Sequence, residues 1–131
     1  LERLAQGNNY RDGATVEALT WSLVNGSDVT GTATLDAMSH LQTPAGGYKR
    51  VEGSNDQYDT DEWILIDLRA SAAFRRAGNA AKADQLLNWV TGQATANYDL
   101  LPELYNTRSS SGTMWGVKMP WSFFAMRKSE I

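Results

Sequence analysis

The sequence has no cysteine among its 131 residues and only one histidine, His40. Without cysteine there are no disulfides, no thiolate nucleophile and no cysteine-bound zinc. A single imidazole also argues against a histidine-rich metal centre and against a Ser-His-Asp triad. The sequence therefore predicts neither a metal site nor another cofactor.

Long apolar runs and an excess of positive charge are also missing. No apolar stretch reaches the ~18 residues that a membrane span needs. The formal net charge is −3, from 12 Lys and Arg against 15 Asp and Glu, and a nucleic-acid-binding protein would normally carry a basic face. We therefore expect neither a membrane nor a nucleic acid as partner. The 42% hydrophobic and 21% charged residues are typical of one folded domain.

Helical patterns fill most of the chain. Apolar residues recur at helical spacing in five stretches, which predict helices over about 14–24, 31–42, 60–77, 80–97 and 119–128. Asp59 and Glu62 stand three apart at the start of the third, as in a capping box, and Gly78 follows its end. Asn79 is placed to cap the fourth helix. No paired alternating strands appear, so the predicted class is all-α with no sheet beyond an incidental hairpin.

The connections between these helices alternate in length. The links near 25–30 and 78–79 are short, whereas those near 43–59 and 98–117 are long for helix–helix connections. Helices joined by short links run antiparallel, so an up-and-down path places both long links at one end. We expect residues 48–59 and 99–115 to lie there, within reach of a shared ligand. The loop, buried helix, turn and amphipathic helix also recur with a period of about 50 residues.

Aromatic, arginine and carboxylate side chains collect in and beside the two long links. Aromatic rings stack on the C–H faces of sugars and charged groups bond sugar hydroxyls, so this mixture on loops of a helical scaffold indicates a carbohydrate site. Plainer explanations stand beside it: tyrosines and tryptophans pack, an arginine pairs with Glu52 or Asp56, and a glutamate caps a helix. The candidates are Tyr48, Arg50, Tyr58, Trp63, Glu103 and Tyr105.

Four motifs occur in a fixed order along the chain: GGYKR at 46–50, YDTDEW at 58–63, LPELY at 101–105 and MPWSFFA at 119–125. This ordered set resembles the C-terminal part of glucoamylase-like glycoside hydrolases, glycoside hydrolase family fifteen. The resemblance covers roughly residues 10–128. One departure is Leu104, which follows Glu103 where the family usually has glutamine.

The resemblance implies six helical hairpins closed into an (α/α)6 toroid, of which residues 1–131 would be a single unit of about five helices. It implies an inverting glycoside hydrolase acting on α-glucosides or α-glucans, with Glu103 at the position of the general base. Arg50 and Trp63 match sugar-contacting positions, and the three tyrosines, Tyr48, Tyr58 and Tyr105, are further substrate-binding candidates. The expected ligand is an oligosaccharide or α-glucoside.

The same resemblance places the general acid before an earlier inner helix, which this chain does not contain. The chain also starts at Leu1 instead of a methionine. We therefore expect a fragment that is inactive alone and that seeks the rest of the toroid or a second copy of itself. The alternative is a non-catalytic α-helical module that binds carbohydrate or another protein.

Overall fold

A computed structural model of the chain describes residues 11–96, 98–105 and the strand at 126–127. This part is mainly helical, which confirms the predicted class. Its helices are α1 (Glu17–Thr20), α2 (Val29–Met38), α3 (Gln57–Thr60), α4 (Ile64–Arg76) and α5 (Ala80–Ala96). Short 3-10 turns, Gly13–Val16 and Ser39–Leu41, precede α1 and follow α2.

Four two-residue strands join distant parts of the chain. They are β1 (Glu62–Trp63), β2 (Leu100–Leu101), β3 (Leu104–Tyr105) and β4 (Met126–Arg127). They form two antiparallel pairs, β1 with β3 and β2 with β4. The described residues thus contain no sheet of more than two strands.

Helices α4 and α5 form an antiparallel hairpin around a tight turn. Gly78 adopts a φ of +83°, a left-handed conformation that favours glycine after a helix. Asn79 then caps α5, because its Oδ1 accepts a hydrogen bond from the backbone N–H of Lys82 over 3.1 Å. The predicted turn and the predicted start of the fourth helix are confirmed.

The core of the described residues consists of two apolar clusters, and α4 contributes to both. The first lies between α4, α1, α2 and their 3-10 turns, and its buried residues include Val16, Leu19, Met38, Leu41, Ile66, Ala70 and Ala73. The second lies where α4 begins and α5 ends, and contains Ile64, Val90, Ala94, Leu101 and Tyr105. Burying each large apolar side chain contributes about 1.5–3 kcal/mol. Helix α4 therefore has neighbours on most sides, as its apolar sequence predicts.

The first helix is shorter than the predicted 14–24 and ends at Thr20. Ser22 takes a left-handed φ of 58°, and the N–H groups of Ser22 and Leu23 donate to the carbonyls of Leu19 and Ala18. These two bonds form a Schellman motif, which satisfies the last carbonyls and ends the helix. Leu23 is consequently 79% exposed, although its spacing assigned it to the apolar face.

The predicted capping box at Asp59 and Glu62 is wrong. Residues 57–60 form the separate single turn α3, capped by Asp56, whose Oδ1 accepts from the N–H of Tyr58 over 2.9 Å. The backbone is extended at Asp61, and Glu62 belongs to β1. The long helix therefore begins only at Ile64.

The predicted fifth helix, 119–128, falls mostly outside the described residues. Its two described residues, Met126 and Arg127, form β4 instead, paired with Leu101 and Leu100. The helical prediction is wrong at these two positions, because backbone pairing with another strand decides their conformation. Residues 119–125 and 128 lie outside the described residues.

Candidate functional site

The two long links meet at the start of α4. Trp63 of β1 is the strand partner of Leu104 in β3. One residue later, the backbone N–H of Ile64 donates to the carbonyl of Glu103 over 3.3 Å. These bonds bring the first link and the described start of the second together, as the alternation of link lengths predicts. The predicted range continued to 115, and residues 106–115 lie outside the described residues.

A partly exposed group of polar and aromatic side chains forms at this junction. We call it the Arg50 cluster; its members are Arg50, Tyr58, Asp59, Trp63 and Glu103. Four of the six site residues that the sequence predicts belong to it. Asp59 was not among the predicted site residues, although it lies beside Tyr58 in the same motif.

Two aromatic rings and a guanidinium are stacked in the Arg50 cluster. The rings of Tyr58 and Trp63 meet edge to face, with centroids 4.8 Å apart and planes 81° apart. The guanidinium carbon of Arg50 lies 5.4 Å from the Trp63 ring centroid and 6.0 Å from that of Tyr58. These are cation–π distances, each contact being worth about 0.5–1 kcal/mol at an exposed site. The three side chains therefore hold one another in a fixed arrangement.

Asp59 fixes the charged end of Arg50. Its Oδ1 lies 3.3 Å from Nη1 of Arg50, and its Oδ2 accepts from the hydroxyl of Ser54. The backbone N–H of Arg50 also donates to the Asp59 carbonyl over 3.1 Å. The alternative partners predicted from the sequence have other contacts: Glu52 pairs with Arg11, and Asp56 caps α3.

Glu103 joins the cluster through its side chain. Its Oε1 accepts a hydrogen bond from the hydroxyl of Tyr58 over 3.0 Å. Burial, followed by this hydrogen bond and the charge of Glu103, raises the pKa of Tyr58, so the phenol stays a donor. Within the described residues, Oε1 is the only oxygen of this carboxylate that accepts a hydrogen bond.

Trp63 lies at the boundary between the core and the surface. Its ring packs against the first apolar cluster while remaining half-buried. Its Nε1–H donates to the backbone carbonyl of Tyr58 over 2.9 Å, which fixes the ring plane relative to the first long link. The structure thus confirms the packing interpretation of Trp63, and its role as a sugar platform stays a prediction.

Tyr48 and Tyr105 are placed differently from the other candidates. They are only 2% and 3% exposed, and each belongs to one of the two apolar clusters. Burial, followed by the charge of Asp67, raises the pKa of Tyr48 to about 12, and burial likewise raises the pKa of Tyr105. Packing is what the structure shows for these two, so we leave them out of the proposed contact set.

A buried pair of carboxyl groups, Glu62 and Asp67, lies next to the Arg50 cluster, since Glu62 directly precedes Trp63 in β1. Both residues are 0% exposed. Oε2 of Glu62 accepts from the hydroxyl of Thr43 and the N–H of Gly47, and its Oε1 accepts from the indole N–H of Trp89. Glu62 thereby ties the first long link and α5 to β1.

Asp67 accepts a hydrogen bond from the backbone N–H of Tyr48 over 2.7 Å. Burial raises its pKa well above the usual range, and the neighbouring charge of Glu62 raises it further. Sequence reasoning missed this pair. The available signal was Asp67 itself, an aspartate within the apolar run that became α4. A charged residue in such a run is seldom buried unless it is paired.

Comparisons with known proteins identify no relative of this chain, so the functional argument rests on the geometry of the site. No protein-family model, curated protein or solved structure matches the chain. Within residues 11–96 and 98–105, no three His, Asp or Glu side chains come together in a group that would hold a metal ion. No helix in the described part of the chain has the length and apolarity to cross a membrane.

Proposed function

We propose that this chain is the C-terminal portion of an inverting glycoside hydrolase that acts on α-glucosides or α-glucans. The observation that carries the proposal is the hydrogen bond between Tyr58 and Glu103, because it puts the candidate base beside the stacked Arg50 and Trp63. The motif resemblance adds the (α/α)6 toroid as the fold of the whole enzyme. The rest of that toroid, or a second copy of the chain, would be its protein partner.

In this proposal Glu103 is the general base. The Tyr58 hydroxyl occupies Oε1 and orients the carboxylate, and Oε2 takes the proton from the attacking water. An inverting enzyme needs an acid on the opposite side of the sugar, roughly 6.5–9.5 Å from the base, to protonate the leaving oxygen. That acid would come from another part of the toroid.

The other members of the Arg50 cluster bind the sugar. The part of the Trp63 ring that stays exposed would offer an apolar surface for the C–H face of a pyranose ring. Arg50 has five N–H donors in a planar fork, and its pairing with Asp59 fixes the direction in which the remaining donors point. Such pre-orientation reduces the entropy lost on binding.

Binding and turnover of maltotriose test the proposal. We expect the 131-residue chain to bind it weakly and to show no hydrolysis above background, because acid and base catalysis each contribute about 10²–10⁴-fold and this chain supplies only the base. The complete natural gene product should hydrolyse it with inversion, followed by proton NMR of the released anomer. Robust turnover by the 131-residue chain, or retention of configuration by the complete enzyme, would contradict the proposal.

A second candidate is a non-catalytic helical module that binds carbohydrate. The observation favouring it is that the stacked Arg50, Tyr58 and Trp63 are already arranged within the described chain, and binding needs no general acid. Saturable binding of maltotriose by the complete gene product, without any hydrolysis, would select this candidate over the hydrolase.

A further inference from the structure

The buried pair Glu62 and Asp67 holds the strand-like segment that presents Arg50. Gly47 donates its N–H to Glu62, and the next residue, Tyr48, donates its N–H to Asp67. The carbonyl of Tyr48 then accepts from the N–H of Trp63 over 2.9 Å. Arg50 follows two residues later. The two carboxyl groups therefore fix the segment whose end stacks over Trp63.

The two carboxyl groups converge on one point. A Cβ at Gly47 would lie 2.4 Å from Oδ2 of Asp67 and 2.5 Å from Oε1 of Glu62. Within the described residues, Oδ2 of Asp67 is buried and accepts no hydrogen bond. A proton on this oxygen would remove the defect, because the carboxylic acid then donates to Glu62. Two fully buried carboxylates in contact would instead repel each other without water to screen them.

The surroundings favour a proton on Asp67. The hydroxyl of Thr43, the indole of Trp89 and two backbone N–H groups satisfy one negative charge. The phenols of Tyr48 and Tyr105 face the pair and stay neutral because burial raises the pKa of both. Lys82, at the start of α5, is the cation whose charge reaches Asp67. The charge of this lysine and one proton together compensate the negative charge of two carboxyl groups.

We propose that Glu62 and Asp67 are positioning residues: a protonated Asp67 donates to Glu62, and the pair thereby holds residues 47–50 in the arrangement that forms the Arg50 cluster. Loss of this proton leaves two carboxylates that repel each other, which weakens the hold on Gly47 and Tyr48 and loosens Arg50 from Trp63. The inference names a regulation of the site in the proposed function and rests on that function only for the identity of the ligand.

Hydrogen exchange tests the proposal independently of any ligand. The backbone N–H groups of Tyr48 and Trp63 are followed between pH 5 and 8 by NMR, with rates corrected for the intrinsic effect of pH. In the native chain, the equilibrium constant for opening should rise with pH, by up to about tenfold per unit while one proton is being lost. The N–H of Ala83, at the capped start of α5, is the internal reference and should change less.

The decisive experiment replaces the carboxyl group of Asp67 with an amide. In Asp67→Asn the side-chain oxygen still accepts from Tyr48 and the NH₂ group donates to Glu62 at every pH. Protection of the Tyr48 and Trp63 amides should therefore be kept and become independent of pH. Asp84→Asn, on the exposed face of α5, is the matched control and should behave like the native chain.

Two results would overturn the proposal. One is flat protection of the native chain across the pH range, which needs no variant to interpret. The other is an unchanged pH dependence in Asp67→Asn. Maltotriose titration separates this inference from the proposed function: pH-dependent protection without maltotriose binding would retain the positioning role and reject the sugar site. Binding whose affinity falls with pH in the native chain but not in Asp67→Asn would support both.

Discussion

The hydroxyl of Tyr58 donates to Oε1 of Glu103 over 3.0 Å and joins two residues that are 45 positions apart in the sequence. This bond connects the two long links directly. It fixes a surface carboxylate beside an arginine that is itself stacked on a tryptophan. The proposed sugar site depends on this relationship, and its predictions follow from removing one member at a time.

Glu103→Gln should reduce turnover of α-glucosides by the complete enzyme about 10²–10⁴-fold. The amide keeps the shape and the bond from Tyr58 but takes no proton from water. Binding of maltotriose should change little, so the loss falls on kcat. Asp36→Asn, on the exposed face of α2, is the control and should leave kcat unchanged. Full activity of the Gln variant would exclude Glu103 as the base.

Arg50→Lys should weaken maltotriose binding about fivefold, or ~1 kcal/mol. Lysine keeps the charge but lacks the planar guanidinium that lies over the Trp63 ring. It also lacks the further N–H donors whose direction the pairing with Asp59 fixes. The melting temperature should stay close to native, because Arg50 is partly exposed. Arg75→Lys removes the same group from an exposed pair with Asp84 and should not affect binding. Calorimetry and thermal melts on both variants decide the outcome.

Gly47→Ala should destabilise the fold by about 1–3 kcal/mol. The added Cβ would lie 2.4 Å from both Oδ2 of Asp67 and Cδ of Glu62, and both of these residues are 0% exposed. Gly92→Ala is the matched control: a Cβ in the middle of α5 meets nothing within 4 Å, and alanine favours the helix by about 1 kcal/mol. Denaturant unfolding should move in opposite directions for the two variants, and equal shifts would be inconsistent with a closed carboxyl pair.

The free energy of unfolding should fall as the pH rises above about the ordinary aspartate value of 3.8. Burial and Glu62 raise the folded-state pKa of Asp67, so the folded chain holds a proton that the unfolded chain has lost. The stabilisation of the folded chain by this proton is complete below pH 3.8. It is lost as the pH rises through the raised folded-state pKa of Asp67. The slope in that window is up to about 1.4 kcal/mol per pH unit for this group. Urea unfolding of the native chain and of Asp67→Asn measures it, and the difference between them should grow with pH.

The hairpin of α4 and α5 was predictable because its signals are local. Gly78 supplies the left-handed turn and Asn79 the cap, and both act on backbone groups within four residues. The meeting of the two long links was also predictable, since short links force antiparallel neighbours. Most of the Arg50 cluster follows from these two facts and from the residue types in the links.

The predictions from the sequence were wrong for features whose conformation depends on distant partners. Asp59 and Glu62 have capping-box spacing, but the carboxylate of Glu62 is bonded by Thr43, Gly47 and Trp89 instead of by the start of a helix. The end of α1 was misjudged because apolar spacing continues through Leu23 while Ser22 takes a left-handed φ. In each case the local pattern fits two conformations.

By itself the sequence determined the helical class, the α4–α5 hairpin and the set of residue types at one end of the bundle, because hydrophobic period, capping and link length act over short distances. Only the tertiary structure decided which acids are exposed and which are buried. Glu62 in β1 and Glu103, which directly precedes β3, are the same residue type, yet Glu103 lies at the surface and Glu62 is 0% exposed. The reason is physical: a carboxyl group is tolerated inside a protein only where donors from several segments converge on it, and that convergence exists only after the chain has folded.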